Sequence, residues 1–357
     1  MTESDNHPSA IEQLTILGAG AWGTALAAIS RRAGQRVTLW GRDAEILADI
    51  KHVQKNPRFL PDIELPAGIE TTTDPWQACK STQAVLVVIP SRSLRQVCQT
   101  FAPHLPTGIP IVLCCKGIEQ GSGLLMSEVA QQELPNHPIG ALSGPTFATE
   151  AARGYPTAAT IALPFSEQDR RYPANSDASR LARALSNDGF RPYVSDDLVG
   201  VEIGGAVKNV IAIACGIMTG AGFAENTRAV LITRGLEEMK RLAQALGGRR
   251  ETLSGLSGMG DLTLTCSSQT SRNMSLGFQL GQGRSRVDCF DGRDVVVEGE
   301  VNAVSVTDLA RQLGVEMPIC ETVNAVLHGD APLKESFVKL WNRPLKSESQ
   351  SLPISLE

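Results

Sequence analysis

Leu14-Thr15-Ile16-Leu17-Gly18-Ala19-Gly20-Ala21-Trp22-Gly23-Thr24-Ala25-Leu26 is the stretch from which the fold can be read. An apolar run ends in a glycine-rich turn, a helix-compatible run continues to Arg32, and a second β-branched run covers Arg36 to Trp40. Three glycines spaced GxGxxG are common by chance, but between a strand and a helix they form the βαβ fingerprint of dinucleotide binding. Gly18 permits the tight turn, Gly20 lets the backbone approach a pyrophosphate, and Gly23 lets helix and strand pack closely. The free N–H groups of the helix N-terminus then face the anion. Where the second strand ends, Trp40-Gly41-Arg42-Asp43 puts Arg42 where a 2′-phosphate would be met, which favours NADP; Asp43 keeps NAD open.

Outward from this unit, Ala84–Ile89, Ile111–Cys115 and Ile139–Ser143 repeat the alternation of strands with helix-compatible stretches. The expected N-terminal half is α/β: a Rossmann-like, doubly wound, mostly parallel sheet. Thr157–Leu163 and Phe190–Val194 read as later, peripheral strands. Between them Ser166–Ser179 is polar and reads as an exposed excursion, tolerant of change, that ends in a helix around Leu181–Leu185. Past Asp196-Asp197, two acidic residues suited to a helix start, the β signal fades. Helices are predicted over Asp197–Met218, Asn226–Leu246, Ser271–Leu280, Asn302–Leu313 and Ile319–Leu327. The chain therefore divides into a sheet domain, 1–195, and an all-α domain, 196–357, with a tail from Pro344 expected to fray.

A length of 357 residues suits two domains, and 42% hydrophobic with 20% charged residues is the balance of a globular protein. Thirty-three basic against 38 acidic residues leave a net charge of −5, which provides no general attraction for nucleic acid or an anionic membrane. The polar N-terminus lacks the order of a signal peptide, and apolar runs such as Ala84–Ile89 are far short of a membrane span, so a cytoplasmic location is expected. Eight cysteines without a CxxC pair, and five histidines without ligand spacing, predict reduced, mostly buried thiols and no metal site.

Lys208 stands out in Ile203-Gly-Gly-Ala-Val-Lys-Asn-Val-Ile211. On a helix, positions 201, 204, 205, 208 and 212 share a face, so small residues leave room beside the amine. Each interior glycine costs about 1 kcal/mol relative to alanine, which argues for a packing or access role. An amine in such surroundings has its ammonium disfavoured and moves toward the range useful for acid–base work. Asp261 and Thr265, four apart, fall on one side of a helical turn. Ser271 suits a helix cap, and Arg272 with Asn273 and the nearby N–H groups suits a phosphate. Lys116 and the loop Ser143-Gly144-Pro145-Thr146-Phe147-Ala148 follow predicted strand ends, where open α/β sheets bind ligands.

Taken in order, Gly18–Ala25, Cys115-Lys-Gly117, Ser143–Phe147, Gly204–Ile211, Gly260-Asp-Leu262, Ser271-Arg-Asn273 and Val296-Val-Glu-Gly299 resemble the bacterial NAD(P)-dependent glycerol-3-phosphate dehydrogenases, over about Leu14 to Leu340. The resemblance implies reversible reduction of dihydroxyacetone phosphate to sn-glycerol 3-phosphate for glycerophospholipid synthesis, with Lys208 as general acid and base. It implies triose-phosphate contacts at Lys116, Gly144, Thr146, Lys208, Asp261, Ser271, Arg272 and Asn273. It implies dinucleotide contacts at Ala21, Trp22, Arg42, Lys116, Ala148, Arg272, Val296 and Glu298, and a homodimer. Ala21 stands where many relatives carry Ser, and Ser166–Ser179 looks like a local insertion. Rival readings are a β-hydroxyacid dehydrogenase, which would act on a carboxylate, and a non-enzymatic NAD(P)-binding regulator.

Overall fold

The computed structural model describes residues 10–346 and 355–356; most of the polar N-terminal stretch, and 347–354 of the tail, lie outside the described residues. Strands β1 (Gln13–Leu17), β2 (Arg36–Trp40), β3 (Ile69–Thr72), β4 (Ala84–Val87), β5 (Ile111–Leu113), β6 (Ile139–Ser143), β7 (Thr157–Ala162) and β8 (Phe190–Ser195) form one sheet in the order 3-2-1-4-5-6-7-8. Neighbours from β3 to β6 are parallel, β7 turns antiparallel to β6, and β8 runs parallel to β7. Apolar clusters cover both faces: Leu14, Ile16, Leu26 and Phe190 on one, Val85, Val87, Phe101 and Val129 on the other. That is the layering expected of strands buried on both sides.

The structure adds to these expectations in three places. β3 has no predicted counterpart and carries no apolar pattern: only Ile69 of Ile69-Glu-Thr-Thr72 is buried, because an edge strand needs little more than backbone pairing. Ser166–Ser179 is mostly exposed, as expected, and carries helical structure of its own. Ser166 and Asp169 form a capping box on the helix Glu167–Arg171, and Ser176 caps a helix that already begins at Asp177 and buries Ala178 and Leu181. Of the tail expected to fray, Leu345–Lys346 pairs with Ser355–Leu356 in a two-residue ladder, and 347–354 and 357 lie outside the described residues.

The helical half is built around Leu198–Gly220, capped by Asp197, whose side chain accepts from the Gly200 N–H at 2.9 Å. This helix is long and apolar enough to cross a membrane, which the search for apolar runs overlooked, but 89% of its apolar window is buried inside the protein. Helices Glu225–Ala245, Asp261–Ser267, Arg272–Gly281, Glu298–Gln312, Pro318–His328 and Leu333–Trp341 surround it. The last of these has no counterpart among the predicted helices; Phe337 is its one buried residue.

The crossing of Leu198–Gly220 with Arg272–Gly281 is made by glycines on both sides. A Cβ on Gly216 would lie 2.3 Å from the Met274 carbonyl oxygen, and one on Gly277 would lie 2.1 Å from that of Ile213. Backbone therefore packs on backbone, and the start of the Ser271-capped helix is drawn tightly against the helix that bears Lys208. Gly277→Ala is expected to overpack this crossing and cost about 1–3 kcal/mol, read as a lower urea midpoint. Gly20→Ala, where a Cβ meets nothing within 4 Å, serves as the comparison and is expected to change stability by less than about 0.5 kcal/mol.

Candidate active site

At the end of β1, Gly18 has φ +121°, and its N–H donates to the Trp40 carbonyl at 2.8 Å. A Cβ there would stand 2.2 Å from the Val88 carbonyl oxygen, and one on Gly23 would stand 1.8 Å from that of Gly18, so both positions require glycine. No side chain caps the following helix, Ala21–Arg32, which leaves its first-turn N–H groups unclaimed, and the space at Gly20 is open. This cradle fits a pyrophosphate, held by backbone N–H groups at the positive end of a helix. Ala21 and Trp22 form its half-buried rim. Arg42 is exposed past the end of β2. Asp43 is committed elsewhere: its carboxylate caps the helix Ala44–Ala48 by accepting from the Glu45 and Ile46 N–H groups at 3.1 and 3.2 Å. Its other oxygen lies 3.7 Å from the Arg58 guanidinium, whereas Arg42 has no ion pair or hydrogen bond among the described contacts.

The centre of the site is a buried carboxylate with two amines. Lys208 donates to Asp261 Oδ1 and, at 2.9 Å, to Thr265 Oγ1; Lys116 donates to Asp261 Oδ2 at 2.6 Å. Asp261 is 2% exposed and Lys208 6%. Thr265 sits one turn beyond Asp261 and returns its hydroxyl proton to the Asp261 carbonyl at 2.6 Å, which turns its lone pairs toward Lys208. Burial brings the Lys208 amine down to about 8; Asp261 opposes that shift and Lys116 adds to it. Burial also works against the Lys116 ammonium, but Asp261 more than offsets it and holds Lys116 above its ordinary value. Asp261 would be pushed up by burial alone, yet the two amines hold it below the usual carboxylate range. The arrangement yields one firmly charged lysine and one poised to exchange a proton near neutrality.

The other predicted residues converge from both halves, and several make structural contacts. Gly144 is pressed against β7, where a Cβ would lie 2.8 Å from Ala159 Cα. Thr146 is half-buried and donates to the Gly144 carbonyl at 3.2 Å, and Pro145 between them packs close to Gly260, beside Asp261. Ala148 begins the helix Ala148–Arg153. Ser271 caps the helix Arg272–Gly281 by accepting from the Met274 N–H, and Arg272 is exposed, with no ion pair or hydrogen bond among the described residues. Asn273 has most of its amide engaged, donating to Asn209 Oδ1 at 3.0 Å and accepting from Gly299 N–H at 2.9 Å. Glu298 accepts from Asn209 Nδ2 at 3.2 Å, and Val296 is exposed just before it. Asn209 thus joins three helices next to Lys208. The sequence reading missed it because it lies one step around the helix from the face that was singled out.

Profiles described as the N-terminus and the C-terminus of NAD-dependent glycerol-3-phosphate dehydrogenase match residues 13–169 and 197–338. A Rhodospirillum rubrum protein named glycerol-3-phosphate dehydrogenase, NAD(P)+, is 50% identical over 349 residues, 97% of either chain. The chain belongs to the NAD-dependent glycerol-3-phosphate dehydrogenase family. It is accordingly an NAD(P)-dependent oxidoreductase. A Caulobacter vibrioides protein of the same name is 48% identical over 95% of this chain and 99% of its own. The crystal structure of glycerol-3-phosphate dehydrogenase from Coxiella burnetii superposes with a TM-score of 0.84 at 36% identity, over 93% of this chain and 99% of that one.

Asp261→Asn is expected to leave two buried amines facing each other without a counter-charge. Lysine side-chain NMR titration should then show Lys208 losing its proton at a pH below about 8.

Proposed function

We propose that the protein reversibly reduces dihydroxyacetone phosphate to sn-glycerol 3-phosphate, the precursor of glycerophospholipids, with Lys208 as the proton donor. The observation that carries this reading is the buried Lys208–Asp261–Lys116 centre, in a chain that also carries a glycine cradle suited to a dinucleotide and a capped helix start whose Arg272 has no partner among the described residues. The bound dinucleotide supplies the hydride to C2 of the ketone. Lys208 gives its proton to the developing alkoxide oxygen and takes it back in the oxidation direction. Asp261 and Thr265 hold the Lys208 ammonium in line, and Lys116 adds a fixed positive charge beside the reacting oxygens. Arg272, the Ser271 helix start and Asn273 hold the phosphate, so binding energy remote from C2 orients the carbonyl. Gly144 and Thr146 wall the substrate. The Gly18, Gly20 and Gly23 turn, with Ala21, Trp22, Ala148, Val296 and Glu298, holds the dinucleotide, and Arg42 favours NADPH by pairing with its 2′-phosphate. The division of labour follows the chain in the main, with 1–195 giving most of the dinucleotide contacts and 196–357 most of those to the triose phosphate, while Lys116, Gly144 and Thr146 reach the substrate from the sheet half and Val296 and Glu298 reach the dinucleotide from the helical half. The protein is proposed to work as a cytoplasmic homodimer, which light scattering tests.

Lys208→Ala is expected to lower kcat about 10²–10⁴-fold with dinucleotide affinity retained. Oxidation of NADPH by a 3-hydroxy-acid precursor, with none by dihydroxyacetone phosphate, would overturn the substrate assignment. Because Lys208 titrates near 8, kcat/KM for reduction should fall as pH rises through that value, where the ammonium is lost, and the oxidation rate should rise. A pH profile measured in both directions checks the opposite signs. Arg42→Glu should raise KM for NADPH far more than for NADH; equal changes would remove the 2′-phosphate contact.

A further inference from the structure

Glu202 is another buried carboxylate, 9% exposed, on the Leu198–Gly220 helix about one and a half turns before Lys208. It does not touch Asp261 or either lysine through a hydrogen bond among the described contacts. Both its oxygens are instead taken by one residue of the sheet half: Oε1 accepts the Ser127 N–H at 2.8 Å and Oε2 accepts the Ser127 hydroxyl at 2.5 Å. Ser127 lies in the first turn of the helix Met126–Glu133, so the carboxylate also meets the positive end of that helix.

The chain around Ser127 leads straight to Lys116. Leu125 pairs with Ile118 in an isolated antiparallel bridge, and the Glu119 N–H donates to the Leu124 carbonyl at 2.9 Å, so 117–127 folds back on itself. Whatever fixes Ser127 therefore fixes the loop that presents Lys116. On the other side Gly205, one turn after Glu202, is where the long helix meets that lysine. A Cβ at Gly205 would lie 3.2 Å from Lys116 Cγ and 3.3 Å from Ser143 Oγ. Ser143 Oγ is buried without a partner, and Lys116, Ser143, Glu202 and Gly205 line one narrow pocket behind the site.

Ile118 and Leu125 also pack into the apolar core of the helical half. Apolar contact is non-directional: it makes the two halves adhere without choosing the height at which the long helix slides along the loop. A bidentate carboxylate on one N–H and one hydroxyl does choose, because both bonds are kept at one register only. Burial, the largest influence on Glu202, lifts its carboxyl to about 7, so this clasp is not an inexpensive source of stability.

We propose that Glu202 is a positioning residue: through Ser127 it sets the register of the Lys208 helix against the Lys116 loop, and so fixes how the two amines share Asp261. The proposal rests on Lys208 being the proton donor. Glu202→Leu keeps most of the bulk of the side chain but accepts neither bond, and Ser127→Ala removes the hydroxyl bond alone; Glu202→Gln would keep both contacts, its Oε1 accepting the Ser127 N–H and its Nε2–H donating to the Ser127 hydroxyl. The expected result is a kcat lowered about 10–100-fold in Glu202→Leu and about threefold in Ser127→Ala, with KM for the dinucleotide within about twofold of the parent and Glu202→Gln close to the parent. The melting temperature of Glu202→Leu should stay within a few degrees of the parent, since removal of a buried charge offsets the two lost bonds. Ser127→Thr, which keeps the hydroxyl, should restore activity. The double variant Glu202→Leu/Ser127→Ala should be no worse than Glu202→Leu alone, because both remove the same interaction.

Normal kcat in Glu202→Leu overturns the proposal, as do effects that multiply in the double variant or losses of kcat that track a lowered melting temperature. Lys208→Ala assayed alongside separates the two readings. Activity retained in that variant defeats the assignment of the proton donor, whereas its loss with Glu202→Leu unaffected defeats the positioning role alone.

Discussion

Asp261 sharing its two oxygens between Lys208 and Lys116 is the interaction on which the rest of the molecule depends. Three ionisable groups in one water-poor place are costly unless each is partnered, and one carboxylate between two amines leaves a net positive charge. The excess falls on Lys208, whose ammonium is disfavoured by burial and by its neighbouring lysine. The same excess is a local positive charge within a protein of net charge −5.

Keeping it requires that two halves of the chain meet at fixed distances. Lys116 arrives on a loop after β5, while Lys208 and Asp261 arrive on two helices of the other half. Glycine is the device used wherever backbones must come closest. Gly204 lies against the Ser257 carbonyl, Gly216 and Gly277 make the crossing beneath Ser271, and Gly205 leaves room for the Lys116 stem. These glycines weaken the helix that carries them, and close packing over a fully buried segment offsets the loss.

Most of the fold was legible because its patterns are local. Seven of the eight strands and the main helices of the C-terminal half follow from alternating or helical spacing of apolar residues, and Asp197 and Ser271 act as caps as their chemistry suggests. β3 and the Leu333–Trp341 helix were invisible for the opposite reason, since each buries a single apolar side chain. The exposure of the polar stretch at 166–179 was legible, but its short helix was not, because capping boxes and surface helices are themselves polar. Asn209 was passed over beside Lys208, since a hydrogen-bond junction among three helices leaves no periodic trace.

The sequence by itself determined the α/β-then-helical architecture, the glycine turn after the first strand and a lysine set among small residues of an apolar helix. Backbone geometry imposes periods of two and 3.6 residues and demands glycine at tight turns, so these features are written in short windows. Only the tertiary structure decided which groups share a charge. Lys116 and Asp261 are 145 residues apart and Lys208 and Asp261 are 53 apart, so no local pattern links them. It likewise decided that Asp43 is a helix cap and that Glu202 closes on Ser127, 75 residues away. A proton affinity depends on burial and on charges within a few ångströms, and those are set by packing rather than by order along the chain.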